Sequence, residues 1–455
     1  MAPRSLTSPA LHRRAAGRAT RPTALVMVVL AAAACGPSVA SPSVLPLASA
    51  VATPTPTDTG LGGGSTPASA GPTRPPDAEA IYRQIAGQVS TIRQLDLPDR
   101  VEPTVIDGPT LVKNLTREFE TTNPPDEIAK SERLLKLMGL LGPNVSLARA
   151  YLDLQGSQVI GYYDPKVKQL FIVSRNGAVG AIEEVTYAHE FTHELQDRRF
   201  DLNSLGLDTI KDDSDRVLAI LSLVEGDALS AQTSWMAANL TPAQLGEVAT
   251  AGSDPAMLAV LAATPRILLE TSIFPYQAGA AYVGNLLAQG GYSTVDAAYT
   301  QLPASSEQIL HPEAAPSVLK PIRLAIPGDL AATIGTGWTA SAQDTFGELQ
   351  ARVWLREGGV AGDVARIAAE GWGGDRVVLL DGPAGAGAVF WTTAWDSSPD
   401  AREFESAARV AIAGLRLDTV VLSSGTRVAM AIRSRSPGTP SDATLRSILE
   451  SLVRG

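Results

Sequence analysis

The pattern of apolar and polar positions separates a long stretch of small and polar residues from two regularly patterned stretches. Residues 35–76 consist almost entirely of Pro, Ser, Thr, Ala and Gly, with few large apolar side chains. Such a stretch buries too little surface to offset its ordering entropy, so we predict a flexible tether. Residues 77–325 and 326–455 carry apolar side chains at regular spacing, and we predict that they form two folded domains.

The first predicted domain, residues 77–325, has mainly the apolar spacing of helices. Helices are predicted over residues 77–95, from Thr110, and over residues 127–141, 181–197 and 215–238. Residues 158–173 differ, because two short runs of β-branched or aromatic residues flank Asp164-Pro165. Runs of this kind on either side of a turn predict a β-hairpin.

In the second predicted domain, residues 326–455, segments with the apolar spacing of helices alternate with segments typical of strands, which indicates an α+β fold. We predict helices over residues 345–356, 399–415 and 441–453 and strands over residues 376–380, 388–395, 419–422 and 427–432. A turn at residues 382–385 would join the first two strands. Trp372, Trp391 and Trp395 would form a binding surface or, as is commoner for tryptophan, pack in the core.

The amino terminus has the pattern of an export signal. Arginines occur between positions 4 and 21, an apolar run spans residues 24–34, and Cys35 follows. The run is too short to cross a bilayer but suits a signal peptide, predicted as residues 1–34. Ala32-Ala33-Ala34-Cys35 looks like a lipoprotein processing box, although Ala32 stands where such boxes usually carry Leu. We expect a lipid on Cys35 to hold the protein at the extracytoplasmic face of the cell membrane. The alternative is ordinary cleavage, which gives a secreted protein.

Composition and net charge exclude some partners and some kinds of metal site. The 455 residues carry a net charge of −10, which repels phosphate backbones and argues against a nucleic-acid partner. A single cysteine excludes an intrachain disulfide and a cysteine-based metal site. The sequence contains only four histidines, so their positions are informative: His12, His189, His193 and His311.

His189-Glu190-Phe191-Thr192-His193 carries the strongest chemical signal. Two histidines four residues apart project from one face of a helix, where both imidazoles can bind one Zn²⁺. Glu190 would lie beside the metal without binding it and act as the general base. The alternative is a buried helix with two incidental histidines.

A catalytic zinc needs a third protein ligand and an open position for water. A metzincin would have glycine and histidine where this chain has Gln196 and Arg199, so that class is excluded. Glu225, in an apolar helical segment, is the predicted third ligand, because an unpaired carboxylate there would be costly. The alternative is a glutamate on the exposed stripe of the helix. Gly226 favours the ligand, since a helical glycine often marks close approach by another element.

Residues 95–315 resemble a gluzincin-type zinc metallopeptidase, close to a group of uncharacterised bacterial lipoproteins and secreted proteins. The matching segments are 161–165 on the hairpin, 188–197 on the zinc helix and 223–228 on the glutamate helix, with 274–276 and 306–312 as recurrent segments without assigned roles. Position 229 is Leu where well-studied gluzincins often have an aspartate. Asp227 would accept a hydrogen bond from a ligand histidine or lie on the surface.

The resemblance implies a zincin-like, mostly helical metallopeptidase domain with a small sheet. The smaller α+β domain predicted above from the apolar pattern would follow it as an accessory domain. The resemblance also implies one Zn²⁺ per chain, and a hairpin strand at the cleft to which a peptide can add. A histidine or tyrosine would stabilise the oxyanion: His311 is the candidate, with Tyr276 and Tyr282 as rivals. We expect a lipid-anchored zinc endopeptidase that acts on polypeptide outside the cell. The alternatives are a non-catalytic zinc-binding scaffold and a zinc hydrolase of a cell-wall amide bond.

Overall fold

The structure is a computed structural model that describes residues 78–174, 179–314 and 319–454. It is mainly helical with two small sheets, so the predicted α+β class is confirmed. The predicted signal peptide, Cys35 and the tether lie outside the described residues and stay predictions. No single helix within the described residues is long and apolar enough to span a bilayer. Two consecutive helices, Pro255–Ala263 and Arg266–Gly290, reach that length and hydropathy only when they are taken together, and the pair is bent by 119° at the break between them.

The amino-terminal part of the fold consists of eleven helices and three strands among the described residues. The helices are α1 (Ala78–Arg93), α2 (Gly108–Thr122), α3 (Pro125–Leu137), α4 (Leu147–Gln158), α5 (Ala181–Phe200), α6 (Ser214–Asn239), α7 (Pro242–Ala251), α8 (Pro255–Ala263), α9 (Arg266–Gly290), α10 (Tyr292–Thr300) and α11 (Ser306–Leu310). The strands are β1 (Thr104–Ile106), β2 (Gly161–Asp164) and β3 (Gln169–Val173). The predicted helices are present, although α3 ends before the predicted residue 141. The sequence pattern does not predict helices α4 and α7 to α10 or strand β1.

The small sheet has the order β1-β3-β2 and contains the predicted hairpin. Strands β2 and β3 are antiparallel, with Tyr162 opposite Phe171, and β1 pairs with β3 in parallel. The turn begins at Asp164, whose carboxylate accepts a hydrogen bond from the backbone N–H of Lys166. Strand β2 is therefore an edge of the sheet, and it lies against α5.

Helices α5, α6 and α9 pack together in the interior of this part. Helix α6 crosses α9 at a pair of glycines, Gly226 and Gly279. A Cβ atom on Gly226 would lie 2.2 Å from the carbonyl carbon and oxygen of Gly279, and one on Gly279 would lie 2.2 Å from the carbonyl oxygen of Ser222. The close approach predicted from Gly226 is therefore confirmed, and it brings α9 against the turn of α6 that carries Glu225.

The carboxy-terminal part is a five-stranded sheet covered by helices. Its helices are α12 (Leu330–Ile334), α13 (Gly347–Glu357), α14 (Gly362–Ala369), α15 (Ser398–Leu415) and α16 (Asp442–Leu452). Its strands are β4 (Thr339–Asp344), β5 (Trp372–Asp381), β6 (Gly387–Trp395), β7 (Asp418–Ser424) and β8 (Arg427–Arg433). The strand order is β4-β5-β6-β8-β7, with antiparallel pairing throughout. The predicted helices, strands and turn are confirmed. The sequence pattern does not predict strand β4 or helices α12 and α14; β4 is short of the large apolar residues that mark a strand.

The largest hydrophobic core joins the two parts. Met138 and Phe274 of the amino-terminal part belong to the same buried cluster as Trp354 and Trp391 of the carboxy-terminal part. The indole N–H of Trp354 donates a hydrogen bond to the backbone oxygen of Met138 at 3.0 Å. Trp372, Trp391 and Trp395 are all buried, so a binding surface made of them is wrong, and core packing is right.

Candidate metal centre

Helix α5 places His189 and His193 on one face, as the four-residue spacing predicts. The helix is buried from Val185 to Asp197, because it lies between α1, α6 and the small sheet. Both imidazoles point towards α6, and their Nε2 atoms are 3.1 Å apart. The rings meet nearly edge to face, with an angle of 80° between their planes.

Helix α6 completes a cluster of three possible metal ligands. The Glu225 Oε2 atom lies 3.3 Å from Nε2 of His189 and 3.6 Å from Nε2 of His193. In a tetrahedral site with bonds of about 2.0–2.1 Å, neighbouring ligand atoms are about 3.3–3.4 Å apart. The three separations between the ligand atoms, 3.1, 3.3 and 3.6 Å, lie on either side of that value. Glu225 is buried, so the alternative of an exposed helical stripe is wrong.

Two glutamine side chains fix the orientation of the imidazoles. The Nδ1 atom of His189 lies 3.1 Å from Oε1 of Gln232, and Nδ1 of His193 lies 2.7 Å from Oε1 of Gln196. An amide oxygen only accepts, so both Nδ1 atoms carry the proton and donate it. Each Nε2 atom then presents a lone pair to the cluster. Three unprotonated acceptors within 3.6 Å of one another repel unless a proton or a metal ion lies between them, so the donor set fits a metal ion.

Burial and contacts set the charge of Glu225. Burial alone would raise the pKa of this carboxyl group, but without a metal ion hydrogen bonds donated by His189 and His193 outweigh burial and lower the pKa to about 2. The side chain is therefore ionised at neutral pH. A buried carboxylate of this kind is a hard, negatively charged ligand of the type that binds divalent cations.

Glu190 lies beside the cluster without belonging to it. Its Oε2 atom accepts a hydrogen bond from the backbone N–H of Tyr163 on β2 at 2.9 Å. Its Oε1 atom is buried and has no hydrogen-bond partner among the described residues. The pKa of Glu190 is raised to about 8 without a metal ion, because burial and the nearby Glu225 raise it by more than His189 and the N–H of Tyr163 lower it. The edge strand thus holds one oxygen of the carboxylate and leaves the other available for a proton.

Asp227 is fully buried, so its predicted alternative as a surface residue is wrong. It does not touch a ligand histidine directly. Its Oδ2 atom accepts from the side-chain amide of Gln196 at 3.0 Å and from the hydroxyl of Tyr299 at 3.0 Å. Its Oδ1 atom forms an ion pair with Nε of Arg93 at 2.7 Å. The histidine's direct acceptor is therefore Gln196, and Asp227 stands one residue behind it.

The three oxyanion candidates occupy different places. His311 follows α11, as expected, but its Nε2 atom lies 3.0 Å from Oε2 of Glu348 on α13, in the carboxy-terminal part. That hydrogen bond raises the pKa of His311. Tyr282 packs among apolar side chains of the core. The ring of Tyr276 lies 6.1 Å from that of His189, centre to centre, so it is the candidate that the structure brings to the cluster.

The sequence interpretation missed Arg93, Gln196 and Gln232. Gln196 excludes a metzincin, but it also follows His193 by three residues and so faces the same side of α5. Gln232 follows Glu225 by two helical turns on the same side of α6. These spacings were available signals. Arg93 gave none, because it is far from the site along the chain.

Comparison with protein families gives a match to the carboxy-terminal part of the chain. The family described as a domain of unknown function, DUF8575, matches residues 334–439, which lie within the predicted second domain. The match covers less than a quarter of the chain and none of the metal-binding residues. No curated protein matches the chain.

Proposed function

We propose that this protein is a zinc-dependent endopeptidase, anchored by a lipid on Cys35, that hydrolyses polypeptide outside the cell. The observation that carries the proposal is the convergence of His189, His193 and Glu225, with Glu190 beside them. Two imidazoles and one carboxylate form a ligand set typical of catalytic zinc, which keeps a fourth position for water or substrate. When bound there, zinc would act as a Lewis acid on the scissile carbonyl and make water a nucleophile at neutral pH.

Glu190 would act as the general base and then as the general acid. Its Oε1 atom, which has no other partner among the described residues, would take a proton from the attacking water and pass it to the leaving amine. The backbone N–H of Tyr163 holds the other oxygen and so limits rotation of the carboxylate. Tyr276, which lies over His189, would donate a hydrogen bond to the developing oxyanion.

Burial of the site sets a condition on this activity. The three ligands and Glu190 are between 0% and 4% exposed. A polypeptide would therefore reach Glu190 only after the covering elements, β2 and the Tyr276 turn of α9, move apart. The same burial favours the second candidate, a zinc-binding scaffold without turnover. Against that candidate stands Glu190, because a closed structural site has no use for a costly buried carboxyl group beside its ligands.

The experiment compares hydrolysis of an unstructured polypeptide by the wild type and by Glu190→Gln at equal zinc content. The amide keeps the size of the side chain and loses the basic oxygen, so zinc binding should persist while turnover falls by about 100-fold or more. Glu184→Gln, a substitution on the same helix, is the matched control and should keep wild-type turnover.

Equal rates for the wild type and Glu190→Gln would remove Glu190 from the mechanism. A wild type that binds zinc but cleaves none of a varied set of peptides would contradict the peptidase. That result would favour the scaffold or, if cell-wall fragments are cleaved, the amide hydrolase.

A further inference from the structure

A buried chain of polar side chains leads from the first helix to the metal centre. Arg93 at the end of α1 pairs with Asp227, Asp227 accepts from Gln196, and Gln196 accepts from His193. The successive separations are 2.7, 3.0 and 2.7 Å, and all four residues are fully buried. We propose that Asp227 is a positioning residue that fixes the metal ligand His193 through the side-chain amide of Gln196. The inference rests on the proposed zinc site.

The orientation of the Gln196 amide follows from its neighbours. Its Nε2 group faces two oxygens, Oδ2 of Asp227 and the backbone oxygen of Val224, each at 3.0 Å. Only an NH₂ group can satisfy two acceptors, so a flipped amide would set oxygen against oxygen at both contacts. The Oε1 atom must therefore face His193. The Nδ1–H tautomer of this histidine is fixed in turn, and its Nε2 lone pair is directed into the cluster.

Three groups hold the Asp227 carboxylate that orients the Gln196 amide. Nε of Arg93, the amide of Gln196 and the hydroxyl of Tyr299 all face its two oxygens. Arg93 is itself fixed, because its Nη2 atom pairs with Asp296 at 2.7 Å and its guanidinium lies over the ring of Tyr292. The contact with Gln196 is therefore made by a charged group that has little freedom to move.

His189 has a weaker version of the same arrangement. Its acceptor, Gln232, is oriented by the backbone oxygen of Val185 at 3.5 Å, the limit of a hydrogen bond. No charged side chain is seen to contact the Gln232 amide among the described residues. The structure thus distinguishes a firmly oriented ligand, His193, from a loosely oriented one, and it is Asp227 that makes the difference.

The test measures the dissociation constant of Zn²⁺ for the folded full-length chain by competition with a chelator. Asp227→Asn keeps the size of the side chain, but removes the charge that fixes the Gln196 amide. We expect zinc to bind about 10–100-fold more weakly, which is the usual effect of losing a partner of a metal-binding histidine. Turnover is not needed for this measurement.

Asp296→Asn is the matched control. It takes from Arg93 the other carboxylate, leaves the contact between Asp227 and Gln196 in place, and should keep the wild-type dissociation constant. If Asp227 mattered only by neutralising Arg93, both substitutions would weaken zinc binding alike. Equal weakening would therefore overturn the proposal, as would wild-type affinity in Asp227→Asn.

Two further variants test the relay even if Asp227→Asn fails to fold. Gln196→Met removes the acceptor of His193, keeps Asp227 paired with Arg93, and should weaken zinc binding to a similar extent. Gln196→Glu combined with Asp227→Asn exchanges the amide and the carboxylate. The amide now at position 227 can donate to the carboxylate now at position 196, and that carboxylate can accept from His193. We expect the double variant to bind zinc more tightly than Gln196→Glu alone; no recovery would contradict a relay through these two side chains.

The outcomes separate this proposal from the proposed function. If the wild type binds no zinc, both are overturned together. If the wild type binds zinc and cleaves no peptide, the endopeptidase is wrong, while the effect of Asp227→Asn on affinity still decides whether the relay exists.

Discussion

The carboxylate of Glu225 lies among fully buried apolar neighbours on its own helix, Leu223, Val224 and Ala228. Water cannot solvate an ionised group there, so its charge must be matched by something else. Without a metal ion, hydrogen bonds from the two imidazoles lower its pKa to about 2, and the group stays ionised. The surroundings of this one residue thus favour a bound cation as strongly as its distance from the histidines does.

Glu225→Ala tests the third ligand. We expect the zinc content to fall from about one per chain to well below that value under dialysis against buffer with trace zinc, because only two protein ligands remain. Asp227 cannot replace Glu225, since Arg93, Tyr299 and Gln196 hold both of its oxygens. Metal analysis by mass spectrometry is the measurement.

The control for this variant is Glu120→Ala, which removes an exposed glutamate of α2. It should keep the zinc content of the wild type. Full zinc retention in Glu225→Ala would show that another group supplies the third ligand.

At the scale of elements, the crossing of α6 and α9 connects the ligand helix to the helix that carries Tyr276. The crossing depends on the absence of side chains at Gly226 and Gly279, where backbone meets backbone. Gly226 directly follows Glu225, so the distance between the helices also sets the position of the ligand carboxylate. Packing of this density transmits small displacements, because the interior has no spare volume to absorb them.

Gly226→Ala is expected to destabilise the fold by about 1–3 kcal/mol, because the new methyl group forces the two helices apart. It should also weaken zinc binding, since Glu225 moves with its helix. Urea unfolding followed by circular dichroism gives the first quantity, and chelator competition gives the second.

Gly246→Ala provides the matched comparison. A Cβ atom at this exposed position on α7 meets nothing within 4 Å. The substitution should leave zinc binding unchanged and add up to about 1 kcal/mol of stability through a smaller loss of backbone entropy. Equal stability of Gly226→Ala and the wild type would mean that the helices separate without cost.

At the scale of the whole molecule, the two parts of the fold meet at buried carboxyl groups. Asp344 at the end of β4 accepts from the backbone N–H and the hydroxyl of Ser214, which begins α6. Next to Ser214 in α6, Asp215 accepts from the backbone N–H of Ser306, and on β5 Asp375 accepts from the backbone N–H groups of Phe346 and Gly347. Burial raises the pKa of Asp375 to about 7 and that of Asp344 to about 6. It raises the pKa of Asp215 well above its usual value as well.

These shifts predict that stability falls as the pH rises. A carboxyl group whose pKa is raised on folding binds its proton more tightly in the folded state than in the unfolded state. Its stabilising contribution is complete below the unfolded value of about 4 and is lost as the pH rises through the folded value. We therefore expect the free energy of unfolding to decrease between about pH 4 and pH 7, by on the order of 1–3 kcal/mol.

Asp215→Asn tests this pH dependence, because Asp215 has one buried oxygen without a hydrogen-bond partner among the described residues. The neutral amide should flatten the pH dependence and raise stability at pH 8 relative to the wild type. The measurement is urea unfolding between pH 4 and pH 8. Asp363→Asn, an exposed substitution on α14, should keep the wild-type slope, and a wild-type slope in Asp215→Asn would contradict the prediction.

The elements of this protein were largely determined by local sequence. The spacing of His189 and His193, the turn at Asp164 and the turn at residues 382–385 each depend on residues within about five positions of one another. Within one helix or one hairpin, the regular geometry brings residues so close in sequence together, whatever the rest of the chain does. Two of the elements that the sequence does not predict, α4 and β4, lack a strong apolar period, so packing against other elements decides them.

Only the tertiary structure decided what surrounds the metal ligands. Glu225 was predictable because an isolated carboxylate in an apolar helix is costly, but the sequence could not show that Gln196 stands between His193 and Asp227. Nor could it show that Arg93, on the first helix, neutralises Asp227, or that His311 faces Glu348 in the other part of the fold. Such contacts arise when distant elements pack side by side, and periodicity along one element carries no information about its partner. The sequence by itself thus determined the ligands that share a helix, while the fold determined the residues that hold those ligands in place.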